Sequence, residues 1–139
     1  MHRQNLIDWY NSFATEREAC LVHLDTMFTE DVVFRDPFRD TRGVPAFREL
    51  FVRMFRRYRH VHFTGFVLEG NEEKFTFTYL MHLRMAVGPT FVTPMATICT
   101  ARDGKISEVI DYYDFASGLV SPVPLLAKAY QACIRAIFL

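Results

Sequence analysis

The chain has 139 residues, half of them hydrophobic and 14 of them Phe, and its 16 basic residues balance 16 acidic ones. That length fits a single domain, 1–139, with enough apolar material for a sizeable core. Balanced charge gives no electrostatic case for a nucleic-acid partner. No stretch reaches the roughly 18 to 20 apolar residues of a membrane span, so no stable membrane insertion is expected.

The N-terminus lacks an apolar signal region with a small-residue cleavage site. Cys20, Cys99 and Cys133 form neither a close pair nor a metal-ligand spacing, and all three fall in patterned apolar stretches. Reduced core thiols in a cytoplasmic protein, with no metal and no cofactor, are the expectation.

Leu6, Trp9, Tyr10 and Phe13 recur at helical spacing and predict a first helix. Thr15-Glu16-Arg17-Glu18 fits a capping box, with a hydroxyl at the N-cap and an acid three residues later. It predicts a second helix carrying Cys20, Leu21, Leu24, Met27 and Phe28. The segment Glu30-Asp31-Val32-Val33-Phe34-Arg35-Asp36-Pro37 then reads as a short strand, ended by a proline that cannot donate to a sheet ladder. Asp36 shares a strand face with Val32 and Phe34, because side chains two apart point the same way. Two readings of Asp36 stand side by side. A carboxylate against apolar walls is harder to ionise and suits acid-base work. Alternatively, Asp before Pro simply starts a turn.

Gly43 ends that turn, and Pro45 opens a third helix with Phe47, Leu50, Phe51, Met54, Phe55 and Tyr58 on its inner face. The arginines between 48 and 59 fall mostly on its wet side. From His60 the pattern changes. Val61–Leu68, Lys74–Ala86, Phe91–Ala101 and Ile106–Phe115 are rich in β-branched and aromatic residues and are separated by short turns, including Asp103-Gly104. Such short connections predict an antiparallel meander. If Val109 points inward, Asp111 and Tyr113 do too, so Asp111 faces the same pocket as Asp36. The other reading of Asp111 is an anchor for the C-terminal segment. His60 and His62 share a strand face without an acid or cysteine at ligand spacing, which favours a solvated or interface role over metal. A final helix from about Pro124 is expected to lid the pocket, extend the core, or cover a partner.

The sum is an α+β cone: three N-terminal helices packed on a strongly curved, cystatin-like antiparallel sheet, plus a C-terminal helix. A pocket between the helices and the concave face is the place for a small ligand.

In this order and spacing, Trp9-Tyr10, Phe28 to Phe38, Gly43, and Asp103-Gly104-Lys105-Ile106 leading to Asp111-Tyr112-Tyr113-Asp114 resemble the nuclear transport factor 2-like superfamily, in its SnoaL-like branch. The resemblance implies a small apolar, polyketide-like or steroid-like ligand and a homodimer through the convex sheet face. Leu80, His82 and Thr97 are expected on that outer face. It also implies either an isomerase- or cyclase-type acid-base enzyme, or a non-catalytic binding or assembly domain of the same fold. Asp36 is similar to the general base of ketosteroid isomerases, Tyr10 to their oxyanion-hole tyrosine, and Asp111 to the last acid of limonene epoxide hydrolases. Departures are visible. The isomerases' second proton donor would fall near Ala96, which has none, and the 91–101 strand lacks the hydrolases' Arg and Asp. The implied catalytic set is Asp36, Tyr10 and Asp111. The implied pocket lining is Trp9, Phe34, Phe55, Phe77, Tyr79, Met81, Ala96, Ile98, Val109 and Tyr113.

Overall fold

The computed structural model describes residues 3–138. Helix α1 (Arg3–Ser12) is followed by a 3-10 helix (Arg17–His23) and a single turn, α2 (Leu24–Met27). Strand β1 (Phe28–Asp36) and the short β2 (Arg39–Arg42) lead into α3 (Val44–Arg57). Four long strands follow: β3 (His60–Gly70), β4 (Lys74–Arg84), β5 (Thr90–Arg102) and β6 (Lys105–Tyr113). The chain closes with α4 (Phe115–Val120) and α5 (Pro124–Phe138).

The strands form one sheet in the order β2-β1-β6-β5-β4-β3. The meander from β3 to β6 is antiparallel as expected. β1, however, lies parallel to β6, so the sheet is mixed and has six strands. Two irregularities bend it. The β3–β4 register shifts between Thr64 and Val67, around Gly65 at φ +70°. A second shift lies between Thr100 and Ala101 on β5. Each bulge inserts a residue and sharpens the local twist, which turns a flat ribbon into a curved one.

The helices fill the narrow end of the curve. Trp9 meets Phe13, Phe28 and Phe51 edge-on, and its indole N–H donates to the Cys20 carbonyl at 3.0 Å. Phe13, Phe28, Phe47, Phe75 and Phe77 are fully buried. Gly43, at φ +87°, makes the turn into α3 and donates its N–H to the Val32 carbonyl, a conformation that favours glycine.

The capping box does not form. Thr15 bonds back to the Ser12 carbonyl, and no side chain caps the helix that follows. Arg17 instead adopts a positive φ of 53° and sends its guanidinium to the carbonyls of Phe55, Tyr58 and Arg59 at the end of α3. Satisfying those orphan carbonyls is one reason a tight 3-10 segment replaces the expected α-helix. The other correction is α5. None of its residues is buried, and Leu125, Ile137 and Phe138 are each at least 70% exposed. It neither lids the pocket nor extends the core, and Cys133 on it is exposed rather than a core thiol.

Candidate functional site

Above the aromatic floor the cone opens into a cavity of about 560 Å³ between α3, α4 and the concave face of β4–β6. Its walls include Phe34, Phe51, Phe63, Leu50, Met54, Met81, Leu83, Met85, Phe91 and Met95. Polar groups reach it from Asp36, Arg39, Tyr10, Tyr79, Thr93, Asp111 and Tyr113. The rim on one side is α4, whose Gly118 lies against Thr93 so closely that a side chain at 118 would overlap the Thr93 hydroxyl.

Asp36 and Asp111 come together because β1 and β6 are neighbours. The pairs Phe34–Val109 and Arg35–Ile110 put Asp36 and Asp111 one residue further along, on the pocket side. Their surroundings differ. The Asp36 side chain is only 2% exposed and is fully engaged. Oδ1 accepts the Phe38 N–H at 2.8 Å, the turn chemistry its place before Pro37 allows. Oδ2 accepts from Arg39 Nε at 3.0 Å, with Arg39 Nη2 at 2.9 Å, and from the Tyr113 hydroxyl at 3.4 Å.

Asp111 accepts a bond from the Thr97 hydroxyl at 2.6 Å and has no ion-pair partner among the described residues. Burial raises its carboxyl to about 7, and the nearby charge of Asp36 adds to the rise. The Thr97 hydrogen bond and the attraction of Arg39 work in the opposite direction. A carboxyl poised near neutral pH, with one face on an apolar cavity, can both take and return a proton.

When Asp111 is ionised, the Thr97 hydroxyl gives it its one proton and the Tyr79 hydroxyl, 3.1 Å from Thr97 Oγ1, donates in turn. Burial raises the Tyr79 hydroxyl well above its ordinary range, and the charge of Asp111 raises it further. Tyr10 is raised as well, by burial first and then by Tyr79 and Asp111, with a hydrogen bond to Tyr79 among the causes. Tyr79 and Thr97 thus form a hydroxyl pair leading to Asp111, with the Tyr10 ring packed behind Tyr79 at 5.8 Å between centroids.

Of the sequence-predicted lining, Phe34, Tyr79, Met81 and Tyr113 line the cavity, as do Tyr10, Asp36 and Asp111. Trp9, Phe55, Phe77 and Val109 do not; they are packed in the core beneath it. Ala96 and Ile98 are on the wrong face. On β5 the buried residues are Thr93, Met95, Thr97 and Cys99, so Ala96 and Ile98 point to the convex side and Thr97 points in. The inward placement of Ala96 and Ile98, and the outward one of Thr97, which the resemblance implied, are thus reversed. The buried Thr97 is tolerated because both its neighbours satisfy it. Arg39 was also missed; its only signal was its position three residues after Asp36, across a two-residue turn.

Among the described residues no group of three or more His, Cys, Asp or Glu is arranged to hold a metal. On the convex face the rings of His62 and His82 stack at 4.3 Å, with His82 Nε2 2.8 Å from the Thr64 hydroxyl. Among the described residues no helix is long and apolar enough to cross a membrane.

A curved sheet wrapped on helices, with an acid-bearing pocket at its open end, is a nuclear transport factor 2-like fold. Within it the chain belongs to the SnoaL-like domain family, whose model matches residues 7–109. Among solved structures it is similar to a hypothetical protein with a ketosteroid isomerase-like fold from Catenulispora acidiphila in complex with trimethylamine, at 20% identity, covering 88% of this chain and 93% of that one, with a TM-score of 0.71. It is similar to a putative polyketide cyclase from Xanthomonas campestris at 22% identity, covering 86% and 95%, with a TM-score of 0.71. It is also similar to an epoxide hydrolase from M. tuberculosis at 17% identity, covering 92% and 97%, with a TM-score of 0.66. At these identities the likeness is one of fold. No curated protein matches the chain.

Proposed function

We propose that this chain is an acid-base enzyme of the isomerase or cyclase type, moving a proton on carbon beside a carbonyl of a largely apolar substrate. The observation that carries the reading is Asp111: a carboxyl on an apolar cavity wall, raised to about 7. Asp111 as carboxylate takes the proton from the carbon. The electron pair moves to the carbonyl oxygen, and the resulting enolate needs donors. Arg39 and Tyr113 stand on the same wall as candidates. Burial and the charge of Asp36 raise the Tyr113 hydroxyl, so it keeps its proton; that proton rests on Asp36 Oδ2 over a long 3.4 Å contact and turns to the enolate in this scheme. The proton then returns from Asp111 to another carbon in an isomerisation, or to the new alkoxide after ring closure. Asp36, with its oxygens engaged by Phe38 and Arg39, anchors Arg39 in this scheme rather than acting as the mobile base.

Deuterium exchange α to the carbonyl of apolar ketones such as 2-tetralone, followed by NMR, tests the reading. The protein should accelerate exchange, and Asp111→Asn should lose on the order of 10²- to 10⁴-fold of the acceleration. Exchange no faster than buffer across such ketones would overturn it. The alternative, a non-catalytic binding domain, draws on those same engaged oxygens of Asp36.

The convex face supports a homodimer. Ala96, Ile98, Ile110, Leu80 and Tyr112 lie there, and the inward turn of Thr97 leaves it more apolar than its sequence suggests. Sedimentation at micromolar concentration should give a dimer; a monomer removes this part of the proposal.

A further inference from the structure

The cavity has a second charged end. Along the sheet, Asp111 is level with Thr97 on β5, whereas the opposite end of the cavity is walled by Phe91 and by Leu83 and Met85 at and beyond the end of β4. Thr97 and Phe91 are six residues apart on one strand, about 20 Å at the usual rise per residue. The last turn of α3 ends here, because Arg57 is three residues ahead of His60, which pairs with Arg84. Arg53 and Arg57, one helical turn apart, both line the cavity.

The cations at this end are poorly compensated. Arg3, Arg35, Arg39, Arg42, Arg48, Arg53 and Arg102 each have an acidic partner. Among the described residues Arg17, Arg56, Arg57, Arg59, Arg84 and Arg135 have none, and all of these but Arg135, on α5, lie at the α3–β4 end. The field is felt locally: His60 is held below its ordinary value, by desolvation first and then by Arg84, Arg59 and Arg17. Between the two ends the walls are apolar, with Met54, Met81 and Met95 supplying flexible thioether surface that adapts to irregular shapes.

We propose that Arg57, supported by Arg53, forms a subsite for a carboxylate carried by the substrate itself, so that the substrate class is an elongated amphipathic acid. Its reactive carbonyl sits beside Asp111 and its carboxylate at the mouth. Arg57 suits the task because a free guanidinium presents a fork of donors that a carboxylate can accept in pairs. This rests on reading the cavity as the ligand site.

The test uses the full chain and two fluorescent probes, 11-(dansylamino)undecanoic acid and its methyl ester. At low salt the acid should bind at least ~10-fold more tightly than the ester, the worth of one charge-assisted contact. Arg57→Ala should remove most of that preference and leave ester binding unchanged. Arg56→Ala, which removes the same charge from the side of α3 that does not line the cavity, should leave both affinities as they are. Met81→Trp, which narrows the cavity between its two ends, should weaken binding of both probes. Equal binding of acid and ester, or equal loss in Arg56→Ala and Arg57→Ala, would overturn the carboxylate subsite alone. Failure of either probe to bind, or binding indifferent to Met81→Trp, would overturn the cavity as a ligand site and the subsite with it.

Discussion

Asp36 and Asp111 occupy adjacent strands and face one cavity, yet the fold gives them different partners. Asp36 ends β1 at a tight turn, where a backbone N–H and a guanidinium three residues on are within reach of both oxygens. Asp111 lies inside β6, where the cross-strand neighbour is a threonine and no cation is in contact. The contrast teaches that a residue's chemistry follows from what the backbone can bring to it. A strand end offers free donors, whereas a strand interior has already spent its N–H groups on the ladder. One acid becomes a fixed anchor and the other a group that titrates near neutrality.

The largest expected effect breaks the comparison by removing Asp111. Its folded-state carboxyl is raised to about 7 from 3.8, so the folded chain holds a proton that the unfolded chain gives up at lower pH. The stabilisation is therefore fully present below about pH 4 and is lost as pH rises toward 7, at about 1.4 kcal/mol per pH unit within that window. Urea unfolding from pH 4.5 to 8 should show wild-type stability falling by a few kcal/mol, and Asp111→Asn should flatten the curve. Asp31 and Asp114, both lowered by hydrogen bonds to hydroxyl side chains first, lose their contributions only as pH falls below that window, whereas His60 and His82, both lowered by desolvation first, add stability as pH rises within it and oppose the fall equally in wild type and variant. An unchanged slope in Asp111→Asn would show that the carboxyl ionises as in water.

A smaller effect sharpens the comparison. Thr97 and Arg39 both hold the Asp111 carboxyl down, Thr97 more strongly. Thr97→Val should raise the midpoint of the stability curve by about one pH unit, the worth of one hydrogen bond to a charged group. Arg39→Met should raise it less, while costing additional stability by leaving the nearly buried Asp36 carboxylate without its cation. Equal shifts in the two variants would mean that the local bond to Thr97 matters no more than the longer-range field of Arg39.

Much of this was legible without coordinates. The inward phase of Asp111 followed from Val109 two residues earlier, and the pocket position of Asp36 from Val32 and Phe34. The β3–β6 meander followed from turn residues too close together for crossovers. The phase of β5 was not legible, because a threonine satisfied by a tyrosine and an aspartate can be buried as readily as an isoleucine. Nor was the 3-10 helix, which depends on Arg17 reaching the end of a helix some forty residues later in the chain.

Alternation and turn chemistry are local, so the amino-acid sequence alone determined the broad order of helices and long strands, the inward face of the strands other than β5, and which acids could look inward. Which partners those acids meet depends on strands distant in sequence becoming neighbours in space. The parallel pairing of β1 with β6 and the register of β5 are decided by packing the whole sheet around one aromatic core. Only that packing set Asp36 beside Asp111, Thr97 against Asp111, and Arg57 on the cavity wall.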